Sequence, residues 1–127
     1  MNAKRIIAAM AGFALIALPA AAIAHGSMKP SHGGLVTMTG ETVVELVRAP
    51  KSVDIYISEE DEPLAASGFT GKLIVTASGA KKETPLVAQK GNKMTAPGLK
   101  IPAGAKVVVA LTSKAGGAKT LASFMVK

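Results

Sequence analysis

The chain has no cysteine and no tryptophan, and its 127 residues include only one tyrosine, three phenylalanines and two histidines. Without thiols there are no structural disulfides, thiolate zinc sites, thiol nucleophiles or cysteine-held iron–sulfur clusters. Three aromatic residues beyond the N-terminal segment (Tyr56, Phe69 and Phe124) are too few for a stacking platform that grips single-stranded nucleic acid. Imidazole chemistry has two places to reside, His25 and His32. Acidic residues are also scarce, with 8 Asp and Glu against 15 Lys and Arg.

The N-terminal segment reads as an address. Lys4 and Arg5 precede an uncharged apolar run from Ile6 to Leu18, Pro19 ends it, and Ala22 and Ala24 stand at the two positions a signal peptidase inspects. A short basic start, an apolar stretch and an A-x-A step form the pattern of a cleaved secretory signal. The run falls short of the roughly 20 residues needed to span a bilayer as a helix. Residues 1–24 are therefore expected to be a signal peptide whose removal leaves a soluble periplasmic or extracellular protein starting at His25, with no stable membrane span. A lipoprotein would need Cys at that position. In the exported chain 13 Lys and Arg face all 8 acids. Export makes this excess a poor argument for nucleic acid; a solvated basic surface able to touch anionic lipid head groups is the expected use.

From Leu35 onward the apolar runs are short, rich in Val, Ile and Thr, and punctuated by Gly, Pro and Asn. That is strand patterning with turn signals. The clearest alternation covers 52–58, where Val53, Ile55 and Ile57 share one face and Asp54, Tyr56 and Ser58 the other. Further strands are predicted over 35–39, 42–48, 72–78, 83–88, 93–96, 106–112 and 120–126. About 100 residues suffice for one core and not for two. The fold expected is all-β: a single Ig-like or Greek-key sandwich, or a small barrel, of seven or eight antiparallel strands over 35–127. Residues 25–34 are expected to form a flexible N-terminal tail, and the core to be built from Val, Ile, Leu and Ala with Phe124, and with Tyr56 or Phe69 as a further large candidate.

Both histidines fall within the first eight residues after the expected cleavage point, in the stretch His25-Gly26-Ser27-Met28-Lys29-Pro30-Ser31-His32-Gly33-Gly34. An N-terminal His chelates by itself, because its α-amine and its own Nδ1 close a six-membered ring on one ion. The amine's ordinary pKa of about 7.7–8 lets a divalent ion displace the proton near neutrality. His32 can add a third nitrogen, and such a donor set favours Cu(II), which heads the divalent affinity order. Met28, a soft thioether between the two histidines, suits Cu(I). The metal ligands expected are thus His25, His32 and Met28, with copper first and zinc or another divalent ion second. Gly33-Gly34 reads as a kink feeding the first strand.

Other features point to chemistry less sharply. The run Glu59-Glu60-Asp61-Glu62 lacks the alternating spacing and the Gly of a calcium loop and reads as solvated hairpin charge. Glu45 lies on a strand face with Val43 and Val47, directed toward a half-buried position where Arg48, a Lys or a metal site would engage it. Ala115-Gly116-Gly117-Ala118-Lys119 lacks the strand–loop–helix setting of a phosphate loop. Serine catalysis needs a His oriented by a third group, and both His lie in the tail, so the protein is expected not to be an enzyme.

Three short motifs, His32-Gly33-Gly34, Glu45-Leu46-Val47 and Val53-Asp54-Ile55-Tyr56-Ile57 running into the acidic loop and Pro63, resemble a group of small periplasmic all-β proteins associated with bacterial heavy-metal efflux. In plan the chain is also similar to CopC-type copper carriers, in which an N-terminal His on a Greek-key barrel binds Cu(II). The copper-dependent polysaccharide oxygenases share an N-terminal His, but nothing here offers their aromatic substrate surface. The resemblance to the copper carriers carries over to His25 and, by position, His32; no later His stands near the last strands. It implies copper buffering, delivery or resistance, with a periplasmic efflux or transport component as partner. The alternative is a β-sandwich interaction module serving an envelope transport complex without metal, with strand edges or the 59–62 loop as contacts.

Overall fold

Alternating apolar residues and the Gly and Pro punctuation are realised as nine strands in a computed structural model that describes residues 28–127. The strands are β1 (Leu35–Thr39), β2 (Thr42–Ala49), β3 (Ser52–Glu59), β4 (Glu62–Pro63), β5 (Phe69–Ala77), β6 (Ala80–Ala88), β7 (Lys93–Pro97), β8 (Lys106–Ser113) and β9 (Lys119–Met125). A single 3-10 turn, Ala66–Gly68, precedes β5. Expected residues 1–24 and His25 lie outside the described part. No helix among the described residues is long and apolar enough to cross a membrane.

All pairings are antiparallel, in the order β1-β2-β3-β7-β6-β5-β8-β9, with β4 paired to β3. Strands β5, β6 and β7 follow one another, and β8 returns by a long connection to lie beside β5. This 4-1-2-3 arrangement is a Greek key. Strand β6 pairs with β5 along most of its length and with β7 only through Val87 and Ala88, which lets the sheet turn the corner. The expected all-β architecture is therefore present, and of the two shapes consistent with the sequence the barrel-like one is adopted, with an eight-stranded sheet that nearly closes.

Inward positions follow the predicted period. Val44 and Leu46 of β2, Val53, Ile55 and Ile57 of β3, Leu73 of β5, Val107, Val109 and Leu111 of β8 and Phe124 of β9 form one buried cluster. Burying a Val, Ile or Leu contributes about 1.5–3 kcal/mol each, which is why aliphatic side chains sustain this core with a single buried Phe.

Closure between β1 and β9 uses side chains. The Thr37 hydroxyl donates to the Ser123 carbonyl at 2.8 Å and the Thr39 hydroxyl to the Leu121 carbonyl at 2.9 Å. Both threonines lie in register with β2 residues on the core side, Thr37 opposite Val44 and Thr39 opposite Thr42. Arg48 donates to the Lys127 carbonyl at 3.3 Å near one end of the same seam. Replacing Thr37 and Thr39 together with Val should lower stability by about 1–2 kcal/mol. Hydrogen exchange should then quicken in β1 before any other strand; protection of β1 equal to that of the parent would show that these hydroxyls do not hold the seam.

Candidate functional site

On the outward face of β2, Glu45 sits between Val36 of β1 and Tyr56 of β3, its register partners, and Tyr56 in turn opposes Lys93 of β7. A carboxylate on an outward face is ordinarily solvated, yet Glu45 is only 5% exposed. The residues just before β1 cover it. Ser31 N–H donates to Oε1 at 3.0 Å, His32 N–H to Oε2 at 2.9 Å and Gly34 N–H to Oε2 at 2.9 Å. The His32 ring adds a bond from Nδ1 to Oε1 at 3.0 Å. The expected partners Arg48 or Lys are replaced by this imidazole and three backbone amides.

Burial alone would raise the Glu45 pKa. The Gly34 amide, the His32 ring, the His32 amide and the positive charge that the ring can carry outweigh it and hold the carboxyl below its ordinary value. Glu45 is therefore ionised near neutrality and can only accept. Its partner Nδ1 must carry the proton, which in the neutral imidazole places the free lone pair on Nε2.

The chain reaches this position because of two glycines. Gly33 has a φ of +72°, a left-handed angle that glycine adopts at no steric cost. At Gly34 a Cβ would lie 2.2 Å from the Leu46 carbonyl oxygen, so only glycine permits so close an approach to the β2 backbone. The kink expected there is what folds residues 31–34 back over β2.

His32 then lies flat against the tyrosine, with ring centroids 3.5 Å apart and planes 8° from parallel. Tyr56, a core candidate by sequence, is instead the outer-face platform for this imidazole. A cleft of about 380 Å³ opens beside the pair, with Lys29, Ser58, Asp61, Pro63 and Asn92 among its walls. His32, stacked and bonded, retains 41% side-chain exposure.

Of the expected ligands, the structure fixes His32 and places Met28 at the surface, 52% exposed; His25 is outside the described residues. Among the described residues no three His, Cys, Asp or Glu converge on a point where a metal could sit. The acidic run forms the tight β3–β4 hairpin, with Glu60 and Asp61 at φ 50° and 65°.

Two outcomes follow from the Glu45 bonding. Glu45→Gln, which keeps the shape but removes the charge and one acceptor oxygen, should cost about 1–3 kcal/mol in denaturant unfolding. Because the folded pKa lies below the ordinary value near 4.5, the stabilisation from Glu45 is complete above that value and is lost as pH falls through the folded pKa. Parent and variant stabilities should accordingly converge in acid, and a constant gap between them from neutral pH down to acid would refute the assignment.

Compared with protein-family models, curated proteins and solved structures, the chain gives no significant match.

Proposed function

We propose that this is a periplasmic metal-binding protein, copper first and zinc or another divalent ion second, that buffers or delivers its ion through an N-terminal chelate completed by His32. The observation that supports this reading is the bond between His32 Nδ1 and the buried Glu45 carboxylate. Histidines that ligate metals characteristically donate their other ring N–H to a carboxylate, which fixes the tautomer and raises the basicity of the ligating nitrogen. Here Glu45 does that for Nε2, and Tyr56 restricts the plane of the ring. The α-amine and Nδ1 of His25 would supply two more nitrogens, seven residues upstream. Met28 would supply a thioether for Cu(I).

The test uses the exported protein beginning at His25, titrated with Cu(II) and with Zn(II). One equivalent of Cu(II) should bind at micromolar concentration, and one extra Gly before His25 should weaken binding by at least about tenfold, as should His32→Ala. Tyr56 is the only tyrosine and there is no tryptophan, so its emission reports directly on the ring beside His32 and should be quenched by Cu(II). Failure to bind Cu(II), or indifference to the added Gly, would remove the chelate; binding with unchanged tyrosine emission would remove His32 from it.

A further inference from the structure

The strand registers gather a cluster of cations with few carboxylates at one end of the barrel. At one end lie the β2–β3 turn, the β5–β6 turn, the connection from β7 to β8 and the close of β9, because Ser52 pairs with Pro97, Ala77 with Ala80, Thr76 with Lys106 and Lys106 with Met125. Arg48, Lys51, Lys81, Lys82, Lys100 and Lys106 are all exposed there, and Lys127 adjoins Arg48.

The two carboxylates nearest that end are already engaged. Asp54 accepts from Ser52 and Thr95 and lies 3.7 Å from the Lys93 ammonium. Glu83 pairs with Lys72 at 3.3 Å. Glu41, Glu59, Glu60, Asp61 and Glu62 lie in or beside hairpin turns at the opposite end, where Lys90, Lys114 and Lys119 offset them. Two exposed apolar side chains stand on the basic end, Leu35 at the start of β1 (40% exposed) and Met125 at the close of β9 (63%). In register, Met125 is beside Lys106, and Lys106 beside Thr76, which is beside Lys81.

We propose that this end of the barrel docks on the surface of an anionic phospholipid bilayer, its cations on the head groups and Leu35 and Met125 at the acyl boundary. Cations near an anionic leaflet add roughly equal increments of attraction, and apolar side chains among them add buried area. Net basic charge alone would attract any polyanion; the apolar pair at the same end favours a surface with a hydrocarbon layer beneath. The His32–Tyr56 cleft, walled by Asp61 and Pro63 of the opposite hairpin, then faces away from the membrane. The proposal is independent of metal binding.

Co-sedimentation of the exported protein with vesicles of phosphatidylcholine, with and without phosphatidylglycerol, tests it. Binding should require the anionic lipid and weaken steeply with salt. Changing Lys81, Lys100 and Lys106 together to Gln should reduce it by about a hundredfold. Changing Lys90, Lys114 and Lys119 to Gln, the same loss of charge at the other end, should leave at least about a third of the parent affinity, and thermal melts of both variants establish that they fold. Met125→Ser should weaken binding a few-fold without altering its salt dependence. Equal effects of the two triple variants would reduce the attraction to net charge and overturn the proposal. So would equal binding to neutral vesicles, no binding to either, or retention on polyglutamate without vesicle binding, which would assign the end to an acidic protein.

Discussion

The buried Glu45 carboxylate is the constraint on which the geometry around His32 depends. Taking a carboxylate out of water costs several kcal/mol unless its lone pairs are satisfied, and here three amides and one ring nitrogen satisfy them. In return the carboxylate gathers residues 31–34 onto β2, although those residues make no strand pairing of their own. The imidazole cannot leave Glu45 without taking one of four donors from a buried charge, and it cannot tilt without losing its contact with Tyr56. Two weak local preferences thus become one defined ring position.

What the barrel contributes is register. Glu45 and Tyr56 face each other because β2 and β3 are joined by a short turn that sets the pairing from Ala49 opposite Ser52 up to Thr42 opposite Glu59. A slip of one residue would exchange the faces, sending Glu45 into the aliphatic core and Val44 to the surface. The apolar interior therefore enforces the polar exterior arrangement: Val44, Leu46, Ile55 and Ile57 are buried on one side, so Glu45 and Tyr56 must meet on the other. Gly34 fits the same logic, since its missing side chain is what allows the covering segment to lie against the β2 backbone.

Much of this was legible in the residues. The period of two over 52–58 marks β3 and its core face, and the eight longer strands lie within a few residues of where Val-, Ile- and Thr-rich runs predict them. Strand β4 was not legible as a strand: the acidic run reads as a hairpin turn, but the two residues Glu62 and Pro63 that pair beyond it are too few to show an alternation. Nor could closure be read, since it depends on two threonine hydroxyls reaching carbonyls more than eighty positions away. For Glu45, alternation with Val43 and Val47 identified the half-buried face. It could not identify what covers that face, because a covering segment without strand periodicity leaves no signal except its glycines. Tyr56 is the counterpart: its polar neighbours Asp54 and Ser58 put it on the outer face, while its size in a chain with few aromatic residues made it a core candidate.

The separation of charge along the barrel has a physical consequence for the cleft beside His32. Strands of eight residues such as β2 and β3 span roughly 26 Å at about 3.3 Å per residue, some three times the Debye length of about 8 Å at physiological ionic strength. The two ends therefore act on their surroundings almost independently. A cation approaching the cleft meets Asp61 and Lys29 of its walls and the acidic turn beside them before it senses the basic cluster at the far end, and an anionic surface approaching that cluster does not sense the acidic turn. A chain whose net charge is strongly positive can in this way still present a site open to a positively charged ion, because distance and screening, and not overall charge, decide which field a ligand meets.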